Sequence, residues 1–255
     1  MKELFSIQGK VALVTGGASG IGAMIARGFV ECGARVYIAS RKEESLAEVA
    51  EELTQFGSCT ALQADLSTEQ ACNDLAARIG EHEDRLHILV NNAGATWGAP
   101  YEEYPDSAWD KLLSVNVKAV FQLTRACTPL LKAASKVGDP ARVINIGSVD
   151  GIGVPVMETY AYSSSKAAVH QLTRHMAKRL APDVTVNAIA PGPFQSRMMR
   201  ATLEAAGDKM NDMVPLGRIG SPEDAAGTAI FLSSRAGAWV TGDVIPLDGG
   251  LVTTR

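Results

Sequence analysis

Three side chains near the middle of the chain have the types and spacing needed for acid–base chemistry at a carbonyl or an alcohol. Ser148 precedes Tyr162 by fourteen residues, and Tyr162 stands four residues before Lys166. Residues four apart lie on one face of a helix, so Tyr162 and Lys166 are predicted to face the same way. A nearby cation favours the ionised form of a phenol and lowers its pKa. Ser148 would donate a hydrogen bond to the charge that develops on the carbonyl oxygen during hydride transfer.

This pattern needs support from elsewhere in the chain, because a tyrosine four residues before a lysine occurs by chance on many helices. Ser148 directly follows an apolar strand pattern, which favours the acid–base site over chance. Tyr160 is six residues from Lys166 and is predicted to face elsewhere, so it is not expected to be the acid.

A glycine-rich segment near the N-terminus offers a dinucleotide site to go with that chemistry. Gly16, Gly20 and Gly22 stand between an apolar strand pattern and a helical one. Glycine permits unusual backbone angles and close approach of the main chain, and the amides at a helix N-terminus attract a diphosphate. The spacing G-x-x-x-G-x-G differs from the commoner G-x-G-x-x-G, and a plain strand-to-helix connection is the alternative. Its position after the first strand favours the dinucleotide site.

The residues after the second predicted strand bear on the choice of nicotinamide cofactor. An NAD site usually carries an acidic residue there for the ribose 2′-hydroxyl, but this chain has Ser40, Arg41 and Lys42. Arg41 can bind a 2′-phosphate through several charge-assisted hydrogen bonds. The alternative is that Arg41 and Lys42 only begin a solvated helix face. We predict NADP(H) as the cofactor rather than NAD(H).

Short apolar strands alternate with helical patterns from one end of the chain to the other. The predicted strands are Val11–Thr15, Arg35–Ala39, Thr60–Ala64, Ile88–Asn91, Arg142–Gly147, Thr185–Ala190 and Val244–Pro246. The predicted helices include Ile21–Cys32, Glu43–Phe56, Thr68–Ile79, Ser107–Leu131 and Ala161–Leu180. This alternation predicts an α/β fold: one Rossmann-like domain over residues 1–255, with a doubly wound parallel sheet of about seven strands.

One segment interrupts the alternation. Residues 193–220 contain Met198, Met199, Met210 and Met213, half of the eight methionines in the chain. Methionine is flexible and polarizable, so a methionine-rich substrate lid over an apolar ligand is predicted here. The alternative is that these methionines only pack short helices onto the sheet.

Composition excludes several classes of function. The chain has 255 residues, is 46% hydrophobic and carries a net charge of −4, which gives no general attraction for nucleic acid or for an anionic membrane. The four cysteines are scattered without metal-ligand spacing, so reduced thiols and no metal site are expected. No secretory signal and no stretch long enough to span a membrane are recognised. A soluble, cytoplasmic protein is therefore predicted.

Taken together, these motifs resemble those of the short-chain dehydrogenase/reductase family over nearly the full length of the chain. The matching residues are Thr15-Gly16-x-x-x-Gly20-x-Gly22, Asn91-Asn92-Ala93-Gly94, Asn116, Ser148, Tyr162-x-x-x-Lys166, Pro191-Gly192 and Gly242 with Asp248-Gly249-Gly250. The resemblance implies that Tyr162 is the general acid/base and that Ser148 orients the carbonyl. It implies that Lys166 lowers the tyrosine pKa and holds the nicotinamide ribose, and that Asn116 holds a water of the proton relay. The resemblance also implies a homotetramer, with a homodimer as the alternative.

The predicted cofactor site gathers residues from several strand ends. Asp65, expected at the end of the third strand, is placed to bond an adenine amino group, and Ser196 replaces a usual threonine but keeps the hydroxyl. The full set is Gly16, Ser19, Gly20, Ile21, Gly22, Ser40, Arg41, Asp65, Leu66, Asn92, Ala93, Gly94, Tyr162, Lys166, Pro191, Gly192 and Ser196.

Within the family the chain resembles NADP-dependent 3-oxoacyl (β-ketoacyl) reductases, including those of rhamnolipid formation, which implies reduction of a 3-oxoacyl thioester in lipid metabolism. The candidate substrate residues are Asp150, Trp97, Met198 and Met199. For Asp150, recognition of a polar substrate group and simple exposure to solvent both stay open. Alternative functions are an NADP-dependent secondary-alcohol, sugar or xenobiotic carbonyl reductase, and a non-catalytic NADP-binding regulator.

Overall fold

Seven parallel strands form one sheet in the computed structural model, which describes residues 2–196 and 209–254. The strands are β1 (Val11–Thr15), β2 (Arg35–Ser40), β3 (Cys59–Gln63), β4 (Ile88–Asn91), β5 (Ala141–Ile146), β6 (Val184–Pro191) and β7 (Val244–Leu247). Their spatial order is β3-β2-β1-β4-β5-β6-β7. The chain therefore builds outward from β1 in one direction, returns, and builds outward from β4 in the other. The doubly wound α/β prediction is confirmed, and the switch point lies between β1 and β4.

Helices connect the strands and cover both faces of the sheet. They are α1 (Gly20–Glu31), α2 (Glu43–Thr54), α3 (Glu69–His82), α4 (Asp106–Leu113), α5 (Ala119–Ala134), α6 (Tyr160–Leu180), α7 (Lys209–Met213) and α8 (Pro222–Ser233). Local sequence sets several of their ends. The Thr68 hydroxyl accepts a hydrogen bond from the Ala71 amide at the start of α3. A reciprocal capping box between Ser221 and Asp224, with Pro222 in the first turn, begins α8.

Alternate residues along each strand serve two separate apolar cores. Leu13, Leu89 and Val143 pack on one face with residues of α3, α5 and α6. Their neighbours Val14, Val90 and Ile144 pack on the other face with residues of α1, α2 and α8. The central strands are buried on both sides, which explains why they read as continuous apolar runs.

The boundaries differ from the predicted ones where local geometry departs from a simple period. The predicted helix Ser107–Leu131 is divided, because Ser114–Lys118 forms a π-helical turn between α4 and α5. An average spacing of apolar residues does not reveal such a turn. The third strand ends at Gln63, so Asp65 follows it by two residues and does not end it.

The predicted lid is described only in part. Residues 193–196 and 209–220 belong to the described chain, whereas Met198 and Met199 lie outside it. α7 carries Met210 and Met213, and the Met213 side chain is exposed. A lid function stays a prediction. Within the described ranges, none of the helices combines the length and the hydropathy needed to cross a lipid bilayer.

Candidate active site

A cleft of about 940 Å³ opens at the carboxyl edge of the sheet, beside the ends of the adjacent strands β1 and β4. This is the position where open α/β sheets bind ligands. The predicted residues in its wall are Gly16, Ser19, Gly20, Ile21, Ser40, Arg41, Asp65, Leu66, Asn92, Ala93, Gly94, Ser148, Asp150, Tyr162, Lys166, Pro191, Gly192 and Ser196. Three predicted residues, Gly22, Asn116 and Trp97, lie outside that wall.

The glycine turn is fixed to the end of β4 by a set of hydrogen bonds across the switch point. Thr15 Oγ1 accepts from the amides of Asn92 and Ala93, each at 3.0 Å. Asn92 Nδ2 donates to the carbonyls of Thr15 at 2.9 Å and Gly16 at 3.2 Å. Gly22 lies beneath this contact, because a Cβ there would overlap Asn92 Nδ2 and the Gly16 carbonyl. Glycine at position 22 therefore lets α1 approach the sheet rather than lining the cleft.

The N-terminus of α1 has the features that a diphosphate requires. Gly16 and Gly20 have positive φ angles of 65° and 55°, which favour glycine. Ser19 caps the helix by position, but its side chain makes no capping hydrogen bond, so the hydroxyl and the first amides can serve a ligand. A Cβ on Gly20 would lie 3.3 Å from Ser196 Cβ, so Ser196 stands close to the turn.

The end of β2 presents positive charge to the cleft. Arg41 and Lys42 are both exposed and both line the wall. Across the described residues, the Arg41 guanidinium forms no hydrogen bond or ion pair, although the Arg41 carbonyl accepts from Gln63 Nε2. Asp65 lines the wall nearby, where its Oδ1 accepts from the Ser67 amide at 3.1 Å. This arrangement fits a phosphate beside Arg41 and a hydrogen-bond donor beside Asp65.

The acid–base residues meet where β5 ends and α6 begins. Lys166 is buried and its Nζ donates to the Ile146 carbonyl at 2.7 Å. The same Nζ lies 5.6 Å from the centroid of the Tyr162 ring. Ser148 follows β5, and its Oγ accepts a hydrogen bond from the Asp150 amide at 3.1 Å. This bond caps the start of the short 3₁₀ turn Val149–Gly151. The structure thus brings Ser148, Tyr162 and Lys166 together as predicted.

The electrostatics of Tyr162 differ from the expectation. Burial raises the pKa of the phenol to about 12, a hydrogen bond with Ser148 lowers it, and the Asp150 carboxylate raises it. The net direction is opposite to the lowering expected from Lys166, because burial of the phenol outweighs the other effects. Burial also lowers the pKa of Lys166 to about 8, with Asp150 acting in the opposite direction. Tyr162 is therefore protonated at neutral pH and can donate a proton.

Tyr160 is used elsewhere, as its spacing indicated. Its hydroxyl donates to Glu158 Oε1 at 2.8 Å, and its ring packs edge-on against Tyr101 and Tyr104. The phenol is not part of the cleft wall.

Asn116 lies in the π-helical turn and is almost fully buried. Its Oδ1 accepts from the Ala95 amide at 2.9 Å, and its Nδ2 donates to the Ala95 carbonyl at 3.0 Å and to Ser165 Oγ at 2.9 Å. Both N–H groups are therefore engaged in joining the segment after β4 to α6. The role of Asn116 in holding a relay water stays a prediction.

The candidate substrate residues are distributed differently from the expectation. Trp97 stands outside the cleft wall and packs under Lys111, whose Nζ lies 5.4 Å from the ring centroid. Asp150 lines the cleft and is partly buried, so it does not simply point to solvent. Burial raises the pKa of its carboxyl group, whereas Lys166 lowers it. The other two candidates, Met198 and Met199, are outside the described residues.

A buried polar network beneath the site was not anticipated from the sequence. Asn91 Nδ2 donates to Asn145 Oδ1 at 2.9 Å and to Thr124 Oγ1 at 3.0 Å, and Asn145 Nδ2 donates to Thr173 Oγ1 at 2.9 Å. The network ties β4 and β5 to α5 and α6. An asparagine inside an otherwise apolar strand is the signal that could have revealed it, because a buried amide requires partners.

Comparison with known proteins gives a consistent set of relatives. Residues 16–252 match the family model described as enoyl-(acyl carrier protein) reductase. The chain is 49% identical to the rhamnolipids biosynthesis 3-oxoacyl-[acyl-carrier-protein] reductase of Pseudomonas aeruginosa, over 98% of this chain and 99% of that protein. It is 35% identical to the short-chain dehydrogenase/reductase PhomF of Diaporthe leptostromiformis, over 97% and 93%. The solved Pseudomonas aeruginosa RhlG/NADP active-site complex superposes with a TM-score of 0.95 at 49% identity, covering 98% of this chain and 99% of that one.

Proposed function

The chain belongs to the short-chain dehydrogenase/reductase family, and on that premise we propose that it reduces a 3-oxoacyl thioester to the secondary alcohol with NADPH. The observation that carries the proposal is the meeting of Ser148, Tyr162 and Lys166 in one cleft with the glycine turn. A regulator that only binds a dinucleotide has no need of a buried phenol beside a serine hydroxyl and a buried lysine.

The described residues fit NADPH. The turn between Gly16 and Gly20, with the Ser19 hydroxyl, would hold the diphosphate, since a side chain at Gly20 would narrow the space toward Ser196. Arg41 would bind the 2′-phosphate, and Lys166 would hold the nicotinamide ribose. When bound, NADPH supplies the hydride. The relative with a solved structure is described as an NADP complex, which supports the same cofactor here.

The protein's own contribution is proton transfer and charge placement. Tyr162, protonated at neutral pH, would donate its proton to the carbonyl oxygen. Ser148 orients that oxygen with a hydrogen bond. Lys166 carries positive charge near neutral pH and offsets the negative charge left on the phenol after the transfer.

A group of apolar side chains contributes to the cleft wall, which supports an acyl chain as the substrate. Its residues include Val149, Val154, Pro155, Val156, Met157, Met213, Leu251 and Val252. Val154 and Val156 are almost fully exposed at the mouth, so an aliphatic chain could extend from the cleft along them. A wall for a small sugar would be expected to carry more hydrogen-bonding groups. The relative at 49% identity is named as a 3-oxoacyl-[acyl-carrier-protein] reductase, which supports the same substrate class.

The first test compares Tyr162→Phe with Tyr160→Phe. The first variant loses the proton donor, so kcat should fall at least about 10²-fold, within the range general acids supply, while NADPH affinity stays near wild type. The second removes a hydroxyl whose hydrogen bond, in the part of the chain that the structure describes, goes to Glu158, and it should keep wild-type turnover. Full turnover by Tyr162→Phe would refute the mechanism.

The second test is a substrate panel with NADPH and NADH. It holds 3-oxoacyl thioesters of several lengths, enoyl thioesters, simple ketones and sugars. Preferred reduction of 3-oxoacyl thioesters supports the proposal, and Val154→Asp should weaken turnover of long chains more than of short ones. Turnover confined to ketones or sugars would assign a carbonyl or sugar reductase instead. Reduction of enoyl thioesters alone would contradict the proposed role of Tyr162, and NADPH binding without any turnover would favour a regulator.

We also propose a homotetramer, or else a homodimer, that works in the cytoplasm as one domain. Exposed apolar side chains on α4 and α5, Leu113 and Phe121, support association through these helices. All four cysteines are free, which supports a reducing compartment. Light scattering that gives a stable monomer would contradict the assembly, and recovery from an oxidising compartment would contradict the location.

A further inference from the structure

His170 lies on α6 one turn beyond Lys166 and two turns beyond Tyr162, on the same side of the helix. Its side chain is buried, with 5% of its surface exposed. Among the described residues, His170 Nε2 has no hydrogen-bond partner. A buried polar atom without a partner destabilises the folded state, so an apolar residue would serve packing better. Stability alone therefore does not explain a histidine at this position.

The imidazole occupies the space beside both glycines that bracket the Ser148 turn. A Cβ on Gly147 would overlap His170 Nε2 and lie 2.7 Å from Cδ2. A Cβ on Gly151 would lie 2.9 Å from His170 Cε1. The three residues Ser148–Asp150 thus run between two glycines, both seated against one imidazole.

Backbone hydrogen bonds also hold the turn. The Gly147 amide donates to the Ile189 carbonyl of β6 at 2.7 Å, and the Gly151 amide donates to the Ser148 carbonyl at 3.0 Å. The second of these bonds lies within the turn. The bond between Gly147 and Ile189 fixes the point where the turn leaves the sheet. On its other side the turn packs against α6.

We infer that His170 is a positioning residue: its imidazole, seated against Gly147 and Gly151, sets the distance of the Ser148 hydroxyl from Tyr162. The inference rests on the proposed role of Ser148 at the carbonyl. Hydrogen-bond donors in such sites act only when they are placed within a few tenths of an ångström, on side chains that are themselves held by packing. The ring and Tyr162 share one rigid helix, so the Ser148 turn is positioned directly from the helix that carries the acid.

The test is a cycle of Gly147→Ala and His170→Ala. The φ angle of Gly147 is not in the left-handed region, so the backbone accepts alanine. The new methyl group would meet the imidazole and, at 3.3 Å, the Ile189 carbonyl. Because a misplacement of about 1 Å can cost about 10²-fold, we expect kcat to fall about 100-fold in Gly147→Ala. The kcat of His170→Ala should fall about 10-fold. The kcat of the double variant should return to within about 3-fold of the His170→Ala value, since the new methyl group no longer meets an imidazole.

Two glycine variants serve as controls. Gly80→Ala places a methyl group in open space on α3 and should behave as wild type. Gly151→Ala places its methyl group 2.7 Å from the backbone atoms Ala167 N and Lys166 C, which the loss of the imidazole does not move. His170→Ala should therefore rescue Gly147→Ala but not Gly151→Ala.

The measurements are kcat, KM, the dissociation constant of NADPH, the pH profile of kcat and the melting temperature. Positioning predicts a loss of kcat with KM and NADPH affinity near wild type. It also predicts an upward shift of the tyrosine limb of the pH profile in His170→Ala, because Ser148 then lowers the Tyr162 pKa less. A packing role would lower the melting temperature and leave kcat and the pH profile unchanged, which would overturn the inference. Wild-type kcat in Gly147→Ala, or no recovery in the double variant, would also overturn it.

If Gly147→Ala does not fold, His170→Ala alone distinguishes the two roles. A loss of kcat supports positioning, and a lower melting temperature with unchanged kcat supports packing. Turnover of any carbonyl by the wild-type protein is measured first. A wild type that reduces no carbonyl contradicts the proposed function and, with it, the role of His170. An active wild type whose variants keep full kcat contradicts the positioning alone.

Discussion

Replacing Arg41 with alanine should change cofactor choice without changing the chemistry. The Arg41 guanidinium is exposed at the end of β2, lines the cleft and has no competing carboxylate partner among the described residues. A hydrogen bond to a charged group contributes about 1.5–3 kcal/mol, and exposure to water places this one near the lower end. About 1.5–2 kcal/mol corresponds to a rise of about 10- to 30-fold in the dissociation constant of NADPH.

The assay is a fluorescence titration of the wild type and Arg41→Ala with NADPH and with NADH. NADH lacks the 2′-phosphate, so its dissociation constant should change less than about 3-fold. Arg27→Ala is a suitable control, because it also removes an exposed guanidinium but one that pairs with Glu31 outside the cleft. The difference between the two cofactors should shrink as salt is added, since an exposed phosphate contact is screened.

The outcome that refutes this reasoning is an equal loss of affinity for NADPH and NADH. That result would mean that Arg41 supports the shape of the site rather than the 2′-phosphate. Unchanged affinity for both cofactors would mean that another side chain binds the 2′-phosphate, and Lys42 would be the next candidate.

Four further outcomes are expected. Gly22→Ala should weaken NADPH binding more than about 10-fold in the same titration, because α1 can no longer reach the turn. Arg142→Met should lower the free energy of unfolding by about 2–4 kcal/mol in denaturant titrations, since it leaves the buried Leu232 and Ser234 carbonyls without their donor, whereas the Asp139 carboxylate keeps its pairing with Lys10. Burial lowers the pKa of His170 to about 4, so between about pH 4 and pH 6.5 mainly the unfolded chain takes up that proton; urea titrations at pH 7 and pH 5 should show the wild type losing about 2 kcal/mol more than His170→Leu. Asp150→Asn removes a charge that raises the Tyr162 pKa, so the pH profile of alcohol oxidation should shift to lower pH; a shift to higher pH would contradict this assignment.

Much of the fold could be predicted because its signals are local. The seven predicted strands all exist, with ends that differ by one residue in most cases, because buried parallel strands are continuous apolar runs between glycine-containing turns. The π-helical turn at Ser114–Lys118 was missed, since one extra residue in a helix leaves the average period almost intact. Trp97 lies outside the cleft wall, and its role toward a substrate stays a prediction. Its ring packs with Lys111 of α4, which is itself a residue of the cleft wall.

The sequence by itself determined the succession of strands and helices, the glycine turn and the spacing of Ser148, Tyr162 and Lys166. Each of these depends on residue type and short-range geometry. The tertiary structure decided what those groups do to one another. Burial against distant segments raises the pKa of Tyr162 to about 12, although its nearest cation in sequence suggested the opposite. The seat of His170 between Gly147 and Gly151 likewise arises only when α6 packs on the end of β5. Desolvation and steric fit depend on all the atoms around a side chain, most of which come from distant parts of the sequence. A local sequence pattern therefore does not predict them.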